Sequence, residues 1–277
     1  MENIEVKTVQ IKKISLTTVD DMEDQVAVEE PLEIQIQFVE NGNTTTKSIS
    51  VTMRTPGNDS ELAIGFLFTE GILFNPAQVK DVFADEIDKN KIMVTLHDGE
   101  LPILKSAERN FYTTSSCGVC GKASIDAIKT VSAYGITQDS FRVTQEVLCR
   151  LPKLLREQQA IFESTGGLHA SALFTTDGDF FLLREDVGRH NALDKVIGAS
   201  FLNLQLPLSD IILLLSGRAS FELIQKAVMA GIKIVAAVGA PSSLAVSLAQ
   251  ENEVTLIGFL KADRFNIYSG AKRIVLV

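Results

Sequence analysis

The stretch 211-IILLLSGRASFELIQKAVMAGIKIVAAVGAPSSLAVSLAQENEVTLIGF-259 decides the fold. Three runs in it, 211–215, 232–238 and 254–259, are almost wholly apolar and have the length of strands rather than helices. Between them, 221–229 and 243–251 read as helices, the first closed by Gly231. Near-continuous apolar strands alternating with helices predict a sheet covered on both faces.

The same alternation extends upstream. Residues 190–202 read as a helix, and 170–176 with 180–184 as a hairpin around Asp177-Gly178-Asp179. Residues 144–158 form a further helical pattern, with Leu148, Leu151, Leu154 and Leu155 inward. Cys149 sits among those leucines and reads as a core thiol. Toward the N-terminus, Leu32, Ile34, Ile36 and Phe38 alternate with Glu33, Gln35 and Gln37, the period of a half-buried strand. Asn41-Gly42-Asn43 is a turn signal, with a return strand over 47–54. Asp59 is placed to cap a helix that ends near Glu70, where Gly71 stops it, and 91–96 is another strand. The expected organisation is a strand-rich N-terminal domain, residues 1–110, followed by an α/β domain, residues 111–277.

Bulk properties narrow the function. The 277 residues carry a formal charge of −9, which disfavours nucleic acid as a partner. Local basic spots at Arg184, Arg189, Arg218, Lys261 and Arg264 could still hold a small anion. The N-terminus lacks an export signal and no apolar run is long enough to span a bilayer, so the expected location is the cytoplasm, without a membrane partner. Three cysteines in such a chain do not make a disulfide framework.

Two of those cysteines form Cys117-Gly118-Val119-Cys120, inside the small, polar segment 106–122. Lys122 and a helix expected from Ala123 would favour thiolate over thiol. A CxxC of this kind serves redox, metal or sulfur chemistry. Structural zinc needs four ligands, and no second CxxC is present. A thioredoxin-like site would stand early in the chain, whereas more than a hundred residues precede this one. A persulfide carrier needs an exposed nucleophilic sulfur with a second thiol nearby, which this loop offers.

Four further motifs sit where the α/β pattern places strand ends. Gly166-Gly167-Leu168-His169 opens a strand, and His169 reads equally as a hydrogen-bonded structural histidine or as a functional one. Arg184-Glu185-Asp186-Val187-Gly188-Arg189-His190 joins a strand to a helix, with Arg189 and His190 at a helix start suited to anions. Ser216-Gly217-Arg218 and Gly239-Ala240-Pro241 follow buried strands, where α/β sheets bind ligands. Their serines read equally well as helix caps. Arg218 has no such structural role and is the preferred phosphate contact.

SSCGVCGKASI, ESTGGLHASALF, REDVGRHNALDKVIG, LLSGRASFELIQKA, AVGAPSSLAV and IGFLKADRFNIYSG, in that order, resemble the FdhD/NarQ family of formate dehydrogenase accessory sulfurtransferases. The likeness runs from EEPLEI to the C-terminus. It implies an enzyme that takes sulfur from a cysteine desulfurase as a persulfide on Cys117, with Cys120 assisting. The sulfur would pass to a bound substrate, the molybdenum bis(molybdopterin guanine dinucleotide) cofactor of formate dehydrogenase, with no permanent metal. It places cofactor binding on Phe259, Leu260, Lys261, Ala262, Asp263 and Arg264, to which the strand-end reading adds Arg218, Gly217, Ser216, Gly239, His169, Arg189 and His190. GDP would mimic the cofactor's ends. The implied fold is a three-layer, cytidine-deaminase-like α/β domain with a mixed sheet, and the implied assembly a homodimer. A zinc deaminase needs H-x-E followed by P-C-x-x-C; here His169-Ala170-Ser171 lacks the glutamate and the CxxC comes first. The non-catalytic alternative is a chaperone that binds the molybdenum cofactor without carrying sulfur.

Overall fold

The computed structural model describes residues 4–104, 134 and 141–276. An N-terminal ribbon pairs β1 (Val6–Ile14) with β2 (Val19–Ala27) antiparallel. A four-stranded sheet follows, built from β3 (Glu30–Glu40), β4 (Asn43–Arg54), β5 (Val79–Ala84) and β6 (Lys91–Leu96) in the order β4-β3-β6-β5. Helix α1 (Asp59–Thr69) covers it. The alternation seen in the sequence has its expected consequence: Leu32, Ile34, Ile36 and Phe38 are all buried.

The second half begins with β7 (Val143–Thr144), α2 (Gln145–Gln158) and α3 (Ala160–Thr165). Then come β8 (His169–Thr175), β9 (Phe180–Asp186), α4 (Arg189–Leu202), β10 (Ile211–Leu215), α5 (Phe221–Met229), β11 (Ile234–Ala237), α6 (Ser243–Glu251), β12 (Thr255–Gly258), β13 (Asn266–Ser269) and β14 (Ile274–Val275). Six of these strands form one mixed sheet in the order β13-β12-β11-β10-β8-β9. Strands β10, β11 and β12 run parallel, while β8, β9 and β13 pair antiparallel to their neighbours. Ala170, Ala172, Phe174, Ile212 and Leu214 face α2, with Leu148, Leu151 and Leu155. Leu173, Leu213 and Leu215 face the opposite way, joining a core with Leu193, Val196 and Ile197 of α4 and Leu223 and Ile224 of α5. That second core continues without a break through α1 into the N-terminal sheet.

The seam between α1 and α4 is backbone against backbone. A Cβ on Gly65 would overlap the Asp194 carbonyl, and one on Gly198 the Glu61 carbonyl. Two buried ion pairs fix the surrounding elements. Lys226 of α5 reaches Asp194 at 2.9 Å, and Thr69 of α1 donates to the same carboxylate at 2.8 Å. Lys195 reaches Asp186 at 2.8 Å and donates to the Thr55 carbonyl at 2.9 Å. Each buried charge thus has a partner and further hydrogen bonds, the condition under which burial is tolerated.

The expected helices and strands of 211–259 are all present: β10 keeps its expected bounds, and β11 and β12 are shorter by one or two residues at each end. Two local readings need correction, and one element carried no signal. Asp59 is not the cap of α1: Asn58 holds that position in the left-handed region, and Asp59 instead accepts two hydrogen bonds from the buried Arg54, both at 3.0 Å. Cys149 is half-buried rather than in the core, because its helical position lies beside the Leu148–Leu151–Leu155 stripe and not on it. The β1–β2 ribbon carried no strand signal, since its side chains are mostly exposed and its polar and apolar residues do not alternate cleanly.

Candidate functional site

The parallel strands β10, β11 and β12 end together at one edge of the large sheet. Strand β8 runs the other way, so its first residue, His169, lies at that same edge, opposite Asp186. Backbone bonds stitch the edge: Gly239 N–H donates to Gly217 O at 2.9 Å, and Phe259 N–H to Gly239 O at 3.0 Å. The Ser216 hydroxyl accepts from Ala170 N–H at 2.8 Å, tying β10 to the His169 strand. Four segments distant in sequence therefore meet as one ledge. A Cβ on Gly239 would stand 3.0 Å from both Arg218 Cγ and Gly217 O, so the close approach requires glycine there.

The ledge is cationic. Arg218 is exposed and Arg189 half-buried at the start of α4. Burial, and then the positive fields of Arg189 and Arg218, hold the His169 imidazole below its ordinary pKa, while Asp186 pulls the other way. His169 is consequently neutral at pH 7, able to accept or donate one hydrogen bond at an edge that attracts anions. His190 is buried behind it, its Nε2 4.0 Å from the Glu222 carboxylate.

A cleft of about 610 Å³ opens at this edge, lined by Gly166, Gly167, His169, Ser216, Gly217 and Val238, with α2 as its far wall. Arg156 of α2 also lines it, its guanidinium 4.6 Å above the Phe162 ring. Sequence reasoning missed both residues. Arg156 lies outside every motif and reads as an ordinary surface charge on an amphipathic helix.

The segment 262–264 lies elsewhere. Ala262, Asp263 and Arg264 line a second cleft of about 660 Å³, together with Gln145, Glu146 and Cys149. The first turns of α2 line this cleft and its last turns line the other. Burial and the neighbouring Asp263 carboxylate raise the Cys149 pKa, which keeps it a thiol rather than a nucleophilic thiolate. Phe259 is exposed and sits in the left-handed region with φ 53°, directly on the ledge, while Leu260 turns into the core and is 1% exposed. Lys261 is exposed, its N–H closing a tight turn onto the Arg264 carbonyl.

Part of the charged 184–190 segment is structural. Arg184 grips Glu61 in a two-pronged pair, 2.7 Å at its outer nitrogen, which removes it from the anion candidates. Glu185 accepts from Ile161 and Phe162 N–H at the start of α3. Asp186 is fully buried and accepts from Gly188 N–H and Asn191. Cys117 and Cys120, with the loop 106–122 and the helix expected after it, lie outside the described residues.

The FdhD/NarQ family model matches residues 27–275. The chain belongs to the FdhD/NarQ family. The sulfur carrier protein FdhD of Streptomyces coelicolor is 49% identical over 261 residues, covering 91% of this chain and 90% of that protein. That of Mycolicibacterium paratuberculosis is 51% identical over 258 residues, covering 91% and 92%. The archaeal one from Sulfolobus acidocaldarius is 40% identical over 272 residues, covering 96% and 100%. A crystal structure from Desulfotalea psychrophila, described as a formate dehydrogenase accessory protein, superposes with a TM-score of 0.75 at 21% identity, covering 98% of this chain and all of that one. At that identity the likeness shows a shared fold. The FdhD/NarQ match takes in the ledge, the first cleft and all of the second but Leu276, and leaves the β1–β2 ribbon almost entirely ahead of it.

Proposed function

We propose that this protein is a sulfur carrier for formate dehydrogenase, with Cys117 as the carrier thiol and the strand-end ledge as the dock for the molybdenum bis(molybdopterin guanine dinucleotide) substrate. The observation that carries the reading is the gathering of Arg189 and Arg218 around neutral His169, with His169 beside Gly217 and Arg218 beside Gly239. Phosphates favour such an edge: two guanidinium groups supply charge, and the glycines leave the backbone open to close approach. Half the sequence is shared with proteins named sulfur carriers, which supports the sulfur chemistry.

The first step is attack of Cys117 thiolate on the terminal sulfur of a desulfurase persulfide. One S–S bond forms on Cys117, another breaks, and the desulfurase cysteine leaves as thiolate. In the second step Cys120 thiolate attacks Cys117, expelling hydrosulfide toward molybdenum and leaving a Cys117–Cys120 disulfide. A cellular dithiol then reduces that disulfide, consistent with work in the cytoplasm. The large mixed sheet with helices on both faces suits a cytidine-deaminase-like scaffold whose chemistry has been replaced.

The test is mass spectrometry after incubation with a desulfurase and cysteine. The chain should gain one sulfur atom, removed by reductant, and Cys117→Ala should gain none and fail to activate formate dehydrogenase. Full activation by a variant lacking both Cys117 and Cys120 would instead establish a cofactor-binding chaperone.

A further inference from the structure

Arg156 and Phe162 belong to no charged or glycine-rich motif, yet both line the cleft at the strand-end edge. The two walls of that cleft differ. The strand-end wall, with His169, Ser216 and Gly217, lies beside the charges of Arg189 and Arg218. The opposite wall comes from α2 and the start of α3, through Pro152, Leu155, Arg156, Gln159 and Phe162. Leu155 is buried, and the Gln159 side chain is hydrogen-bonded to Glu185. Arg156 therefore carries the open polar group of that wall. Its guanidinium stands 4.6 Å above the Phe162 ring and makes no hydrogen bond or ion pair among the described residues. The aromatic contact holds the end of a long side chain in place, and the N–H donors of the fork stay unused.

We propose that Arg156 is a specificity-determining residue of the dock and reads the base at the nucleotide end of the substrate. The proposal rests on the docking reading above. A cleft of about 610 Å³ has room for a flat heteroaromatic ring beside the phosphates. Pro152 and Val238 offer apolar contact to its faces, and the guanidinium meets its edge. Two parallel N–H donors pair with the O6 and N7 acceptors of guanine. Adenine sets an amino donor at position 6 beside N7, so one donor of the fork meets another donor. Arg156 thus separates a 6-oxopurine from a 6-aminopurine, while Arg189 and Arg218 take the phosphates that both carry. Phe162 acts through Arg156, as a positioning residue.

The experiment is calorimetric titration of the full chain and of Arg156→Ala with GDP, IDP, ADP and inorganic pyrophosphate. Wild type should bind GDP about tenfold or more tighter than ADP. IDP keeps O6 and N7 but lacks the guanine amino group, and it should follow GDP. Arg156→Ala should bring GDP and IDP down to the affinity of ADP. Its affinity for pyrophosphate should be unchanged, which also shows that the variant keeps its fold. Equal weakening of all four ligands would make Arg156 a phosphate contact and overturn the proposal. So would a variant that keeps the preference for GDP, an IDP affinity that matches ADP, or a wild type that binds the three nucleotides alike. A wild type that binds neither nucleotide nor pyrophosphate would sink the docking reading itself, and this proposal with it.

Discussion

Two sets of charges sit within a few residues of one another around α4, and they behave oppositely. Asp186, Asp194, Lys195 and Lys226 are buried, matched and hydrogen-bonded, and they join the N-terminal half to the large sheet. His169, Arg189 and Arg218 lie at the strand-end edge, where burial and then the fields of the two arginines lower the histidine's pKa. Matched charges in a core hold elements in register. Cations on an open edge instead leave charge within reach of solvent, which is what the proposed docking of an anionic substrate would use.

The sharpest way to break the buried set is through the seam it surrounds. Gly65→Val or Gly198→Val should leave no stable fold, a loss of about 4–5 kcal/mol or more, read as insoluble expression or loss of the cooperative melt. Lys226→Met strands Asp194 in the core and should cost about 3–5 kcal/mol by denaturant unfolding. The double variant Asp194→Leu with Lys226→Met should recover most of that loss, since two apolar side chains replace the pair.

The edge set should respond differently. On the proposed docking, millimolar GDP should protect the wild type thermally, and Arg218→Ala should abolish that protection while shifting stability by less than about 0.5 kcal/mol. Equal loss of stability and of protection would move Arg218 into the structural set. The smallest effect concerns His169. Its folded pKa lies below the ordinary value of about 6.5, so its contribution is present above that pH and lost as pH falls through the folded value. The melting temperature should fall between pH 7.5 and 5, and His169→Asn should flatten that fall. An unchanged slope in the variant would assign the pH dependence elsewhere.

The charged segment 184–190 shows where reading by residue type stops. Arg184, Glu185, Asp186 and Arg189 look alike in the sequence, four ionisable groups at a strand-to-helix junction. Arg184 is consumed by Glu61, 123 positions away, and Asp186 by Thr55 and Lys195. Arg189 remains at the edge. Nothing local separates them, because the partners arrive only when α1 packs on α4. Arg156 is the converse case: it lines the cleft without belonging to any motif, since α2 crosses the edge at an angle that helical periodicity does not specify.

Local chemistry by itself determined the alternation of strands and helices over 211–259, the half-buried strand at 32–38, and the glycines and serines that end the parallel strands. Those follow from periodicities of two and 3.6 residues and from backbone freedom, which neighbours in sequence control. Only the tertiary structure decided that His169, Gly217, Gly239 and Phe259 share one ledge, that residues 262–264 line a different cleft with Cys149, and that half of the charges near α4 are buried. Strand order and helix packing fix those facts, because they set which distant segments meet, and the ion pairs and close backbone contacts form only there.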